Sequence, residues 1–307
     1  MAPSVQTGIE VETGQAIPAF EKLLVATDFS RSSIAALSYA ENLTHLYGQE
    51  LLLTHVVSTG NASPPEPLAV FATPEIGQAM AEDLEQLAIQ MRRRGIPTRA
   101  ILSEGPVAEA LEALVQKEKP TLLVTGTHGA RGLERLILGS TAEAILRTVS
   151  CPVLTVGPAC VAISRKNLDL KTIVYATVLQ HPSDAALLYA ASLARAMHAH
   201  VQLVHAIDEL EEAPGRTLDK EVQSQADLMA EALKGSDSKV SVHRVYGEAV
   251  EAILRRVIAT QADLIVLGAD GGRKRTAFLP AGVAYGLIRM APCPVITLTR
   301  RGLYYRG

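Results

Sequence analysis

Gly126, Gly129, Gly139 and Ser140 form the sharpest chemical signal in the sequence: a Gly-x-x-Gly pair, nine further residues, then a Gly-Ser pair. The apolar run Leu122–Thr125 precedes Gly126, and a helical pattern begins near Thr141. A glycine leaving a parallel strand permits a tight turn and lets a ligand approach the backbone. Ser140 and Thr141 supply hydroxyls and main-chain N–H groups at a helix start, where phosphate oxygens are favoured. Asp28 ends the first apolar run. A carboxylate there can accept from a ribose hydroxyl or take part in a metal-water shell. The pattern is neither a P-loop, because no Gly-Lys-Ser/Thr follows, nor a Gly-x-Gly-x-x-Gly fingerprint.

The elements that must position these residues alternate along the chain. In the first half, apolar runs predict strands at Lys22–Thr27, Leu51–Val57, Thr98–Leu102, Leu122–Thr125 and Val153–Val156. Helical spacing falls at Ser32–Tyr47, Gln78–Arg94, Pro106–Gln116 and Thr141–Thr148. The second half repeats the strands near Thr172–Ala176, Val201–Ala206, Ser241–Val245, Leu264–Leu267 and Val295–Leu298. Near-continuous apolar strands between helices predict a parallel sheet covered on both faces.

The halves are a duplication. The 39 residues from Pro120 align without a gap on those from Ala262, an offset of 142, whereas the early segments align at an offset of 149. The seven extra residues of the first half are placed in the Pro/Gly/Ser-rich stretch that starts at Ser58. Units this long are domains rather than solenoid repeats. The expected organisation is a flexible tail at 1–19, a first domain at 20–157, a linker at 158–168 and a second domain at 169–307. Two tandem five-stranded sheets, Rossmann-like and mostly parallel with helices on both faces, are the expected fold.

Composition narrows the function classes. The chain has 307 residues, 48% of them hydrophobic, and no Trp, so small aliphatic side chains must fill a sizeable core. A formal charge of −3 argues against a general polyanion binder, and the basic run at Met91–Gly95 lacks aromatic platforms for nucleic acid. The charge is uneven: residues 1–157 carry 11 Lys+Arg against 17 Asp+Glu, and residues 158–307 carry 18 against 15. Cys151, Cys160 and Cys293 are too few and too scattered for a disulfide framework or a zinc knuckle. Cys151 and Cys293 each precede a proline and a strand, which reads as a small buried residue. His198, His200, His205 and His243 make no compact metal-ligand set. With no signal-peptide pattern and no apolar run long enough to span a bilayer, a cytoplasmic protein without membrane insertion is expected.

The segments "VATDFS" and "GTHGARGLERLILGSTAEAILRTVSCPVLTV", together with the duplication, resemble the universal stress protein family in its tandem form. The resemblance implies an adenine-nucleotide-hydrolase-like fold with ATP or a related nucleotide at the carboxyl edge of the sheet; Mg with the nucleotide is expected from the Asp28 carboxylate as a ligand of its water. It also implies pairing of domains through their final strands. Carried over residue by residue, Asp28 is expected to contact adenine or ribose, and Val56 to present backbone to adenine. Gly126 and Gly129 would shape the loop, Gly139, Ser140 and Thr141 would bind phosphate, and Arg131 would neutralise phosphate charge. His128 reads as a loop-orienting residue, since no serine and acid accompany it.

The second half departs from this pattern. Thr177 aligns with Asp28 at the offset of 149, and Ala281-Gly282 replaces Gly139-Ser140 directly after Pro280. Gly268 and Gly271 remain, and Arg273, Lys274 and Arg275 could still attract an anion. A degenerate partner domain is therefore expected beside a nucleotide-binding first domain. The expected function is a nucleotide-modulated stress-response or regulatory protein, with a regulatory protein partner and a homodimer as further partners. The alternatives are a protein-interaction module without nucleotide and a slow magnesium-dependent ATPase, for which no positioned general base is visible.

Overall fold

The computed structural model describes residues 21–47, 50–58, 74–127, 139–163, 170–177, 184–207, 218–268 and 281–298. The expected tail, Gly129, Arg131, His128 and the basic run at 273–275 lie outside the described residues. The first half runs β1 (Lys22–Ala26), α1 (Arg31–Tyr47), β2 (Glu50–Val57), α2 (Pro74–Arg93), β3 (Thr98–Glu104), α3 (Val107–Glu118), β4 (Leu122–Gly126), α4 (Ser140–Thr148) and β5 (Val153–Val156). After α5 (Pro158–Ile163), the second half runs β6 (Thr172–Thr177), α6 (Asp184–Met197), β7 (His200–Ile207), α7 (Leu218–Ala232), β8 (Val240–Tyr246), α8 (Ala249–Ala259), β9 (Leu264–Gly268), α9 (Ala281–Met290) and β10 (Val295–Leu298).

The expectation of two separate sheets is corrected: the ten strands form one sheet, ordered β3-β2-β1-β4-β5-β10-β9-β6-β7-β8. Within each half the pairings are parallel, and the halves join where β5 and β10 pair antiparallel, Leu154 opposite Ile296. The physical reason lies in the final strands. Each is four buried residues long, so leaving either as a free edge would expose apolar side chains and unpaired backbone groups. Pairing satisfies both, and it leaves neither final strand as an edge to which a second chain could add. The edges among the described strands are β3 and β8. The stretch read as linker opens with α5, a short helix begun by Pro158, whose fixed φ suits a first helical position.

One core lies on each face and runs through both halves. Leu23, Val25, Ile173 and Tyr175 share one core with α1, α2, α6 and α7, while Leu24, Leu52, Val174 and Val204 share the other with α3, α4, α8 and α9. The chain compensates for its lack of Trp by close approach: Ala186, Ala190, Ala191 and Ala194 bring α6 down onto the sheet. In the first half, β1 feeds outward to β2 and β3, and the chain then returns to β4 on the other side of β1. This reversal opens a crevice beyond the carboxyl ends of β1 and β4, the usual ligand position in doubly wound sheets.

Candidate functional site

The turn from β1 to α1 is built from short polar side chains. The Asp28 Oδ1 accepts from the Ser30 N–H at 3.1 Å, and the Thr27 hydroxyl accepts from the Phe29 N–H at 3.1 Å. Phe29 takes a left-handed conformation, φ 62°, which is costly for a bulky residue and is held here by those two bonds. Ser30 caps α1, its hydroxyl accepting from the Ser33 N–H at 3.3 Å. Ser33 and Thr27 then join through their hydroxyls at 3.0 Å.

Gly126 ends β4 beside this turn. A β-carbon there would meet the Ser32 carbonyl carbon at 2.6 Å, so the absent side chain admits the first turn of α1. Among the described residues, Ser32 fills the space a side chain at Gly126 would take. Beyond Gly126, Thr127 is buried, and its carbonyl accepts from the Gly139 N–H at 3.3 Å. That bond draws together the two ends of the segment carrying Gly129 and Arg131. Gly139 is the N-cap of α4 and offers no side-chain cap, while Ser140 and Thr141 are exposed in the first turn. Asp28, Gly126, Gly139, Ser140 and Thr141 are thus linked through Ser30, Ser32 and Thr127 at one edge of the sheet. Val56 sits one residue before the end of β2, with its side chain packed into the core beneath α3 and α4.

Sequence reasoning missed His55. Its Nδ1 donates to the Thr27 carbonyl at 2.8 Å, and its ring lies 5.0 Å from that of Phe29. A carbonyl can only accept, so Nδ1 carries the proton. The duplication held the signal, because His205 Nδ1 donates to the Thr177 carbonyl at 3.1 Å with the same separation of 28 residues.

Comparison with known proteins places this geometry in a family. The model of the universal stress protein family matches residues 19–157 and again 169–298. The chain belongs to the universal stress protein family. A universal stress protein of Methanocaldococcus jannaschii is 30% identical over 142 residues, 45% of this chain and 82% of that protein. A universal stress protein of Mycolicibacterium smegmatis is 24% identical over 290 residues, 91% of this chain and 97% of its own length. The crystal structure of a universal stress protein from Archaeoglobus fulgidus superposes with a TM-score of 0.67 at 20% identity, covering 91% of this chain and 98% of that one, a likeness of fold.

In this tandem universal stress protein the register corrects the alignment of the halves. Leu23 pairs with Leu122 and Ile173 with Leu264; Leu51 pairs with Thr98 and Val201 with Val240. The offset is therefore 150 through the first two strands and 142 from the third onward, so the first half holds eight extra residues, between β2 and β3. Thr177 is the counterpart of Thr27, and Val178 takes the place of Asp28. The sequence alignment sets this position one residue earlier, at Thr177. Among the described residues no group of three or more His, Cys, Asp or Glu could hold a metal ion, and no helix is long and apolar enough to cross a membrane.

Proposed function

We propose that the first half of this tandem universal stress protein binds one adenine nucleotide, and that occupancy sets how the protein engages a partner. The observation that carries the reading is the uncapped start of α4, with Ser140 and Thr141 exposed, beside the Asp28 turn at the reversal of strand order. Unsatisfied N–H groups and the helix dipole favour phosphate oxygens there. Asp28 receives the ribose or adenine edge, the Val56 backbone lies against adenine, and Gly126 keeps the turn close. Gly129 and Arg131, assigned from sequence alone, complete the phosphate side. A single carboxylate suits a magnesium ion that keeps most of its water and binds with the nucleotide; Asp28 is the residue to hold one of those waters.

The route outward from the site is α4 itself. Near its far end, Arg147 Nε donates to the Tyr285 hydroxyl of α9 at 3.3 Å, across the boundary between the halves. A ligand that fixes the start of α4 favours the conformer in which this contact forms, and so alters the surface that a partner meets at the join of the halves.

Calorimetric titration with ATP tests the assignment. One site per chain is expected, with Asp28→Ala and Ser140→Ala each weakening binding about tenfold or more, as loss of a hydrogen bond to a charged group implies. Unchanged affinity in both variants would refute the residue assignment.

A further inference from the structure

At the opposite, amino edge of the sheet the halves differ in chemistry. In the first half, ion pairs tie the strand starts to α3: Arg99 Nη2 lies 2.5 Å from Glu118 and its Nε 3.5 Å from Glu50, which also faces Lys22 at 3.9 Å. By the register offsets, the second half carries His200 for Glu50, Ser241 for Arg99 and Thr260 for Glu118. Of the three charged positions only Glu50 has a titrating counterpart, His200, while Arg99 and Glu118 are replaced by neutral hydroxyls.

These side chains form a directed chain. Arg256 of α8 has only donors, so its Nη2, 2.8 Å from His243 Nε2, requires that nitrogen to be unprotonated. The Ser241 hydroxyl, also 2.8 Å from His243 Nε2, must then donate to it. Its remaining lone pairs accept from His200 Nε2–H at 2.8 Å. Arg256 Nε further donates to Gln202 Oε1 at 2.7 Å, and Gln202 is buried. The chain thereby joins β7, the edge strand β8 and α8.

We propose that the chain His200–Ser241–His243–Arg256 is an acid-sensitive joint, in which protonation of His243 releases α8 and β8 from β7. A proton on Nε2 turns the shared acceptor into a donor aimed at a guanidinium. The serine can rotate to accept; the arginine cannot.

The surrounding charges reinforce the effect. Arg256 from α8 and Lys239 from the approach to β8 act on His200, and Arg256 and His200 act on His243. Burial, first, and these cations, second, hold both imidazoles below the ordinary histidine range. Asp263, between α8 and β9, accepts from the Lys171 and Thr172 N–H groups, and the exposed His198–Asp237 pair lies in the turns ahead of β7 and β8. Arg255 donates to the Tyr246 carbonyl at the far end of β8. For a base whose pKa is lower in the folded state, stability is fully present above the unfolded value of about 6.5. It is lost as pH falls from there through the folded value.

Hydrogen exchange on the full chain, expressed as protection factors between about pH 7.5 and about pH 5.5, tests the joint. The expected result is a loss of protection in Val240–Ala259 several-fold greater than in Thr98–Glu118. His243→Gln, which cannot titrate, should remove most of the excess and leave only the share of His200. Equal losses in the two regions, or an undiminished excess in His243→Gln, would overturn the proposal. If that variant fails to fold, NMR titration of the unmodified protein decides: His243 must titrate below the ordinary histidine value, and titration at or above it refutes the joint.

Discussion

Gly126 and Ser32 meet backbone to backbone: a β-carbon on the glycine would lie 2.6 Å from the serine carbonyl carbon and 2.8 Å from its carbonyl oxygen. Neither partner is a flexible side-chain end, so Gly126→Ala must push α1 away from β4. A loss of about 1–3 kcal/mol in chemical denaturation is expected, with weakened ATP binding because the Asp28 turn moves with α1. Gly77→Ala is the control. Nothing lies within 4 Å of a β-carbon there, and alanine is the better helix former, so α2 should gain about 0.5–1 kcal/mol.

The boundary between the halves has its own close approach. A β-carbon on Gly157 would fall 1.9 Å from the Ile288 carbonyl oxygen in α9. Gly157→Ala should therefore cost about 3 kcal/mol or more and strain the β5–β10 pairing. Equilibrium unfolding followed by two probes checks this: the variant should lose the coincidence of transitions expected of one cooperative unit.

His55 and His205 make the same bond to the preceding strand, and among the described residues His55 lies beside the Asp28 turn. His55→Ala and His205→Ala should each cost about 1 kcal/mol or more, by leaving a carbonyl without its donor. Only His55→Ala should also weaken ATP binding. Denaturation and calorimetry on the same two variants separate the structural share from the ligand-dependent one.

What the sequence disclosed and what it hid follow from particular residues. Val153–Val156 and Val295–Leu298 were legible as strands because every position is buried, which leaves an uninterrupted apolar run. The same completeness hid their pairing, since a four-residue apolar strand reads alike at an edge and at a sheet centre. The matching of Lys22 with Lys171 favoured an offset of 149, but Lys171 stands outside β6 and the strand register gives 150. Gly126, Gly139 and Ser140 could be placed at element ends from their flanking patterns. The neighbour of Gly126 could not, because Ser32 reaches it through the fold and not along the chain.

Thiol chemistry should be silent in the native protein. Cys151, Cys160 and Cys293 are all buried, and burial pushes the Cys151 thiol up to about 12. A thiol that is neither exposed nor ionised does not attack. Titration with a disulfide reagent near neutral pH should label none of the three rapidly, and all three once the chain is unfolded. Rapid native labelling of Cys151 would show that the end of α4 opens locally.

The nucleotide assignment is tested most directly by denaturing freshly purified protein, identifying what is released by mass, and counting it per chain. An adenine nucleotide at no more than one equivalent is predicted, with Ser140→Ala lowering the yield. Recovery of none, together with no calorimetric binding of added ATP, would contradict the account.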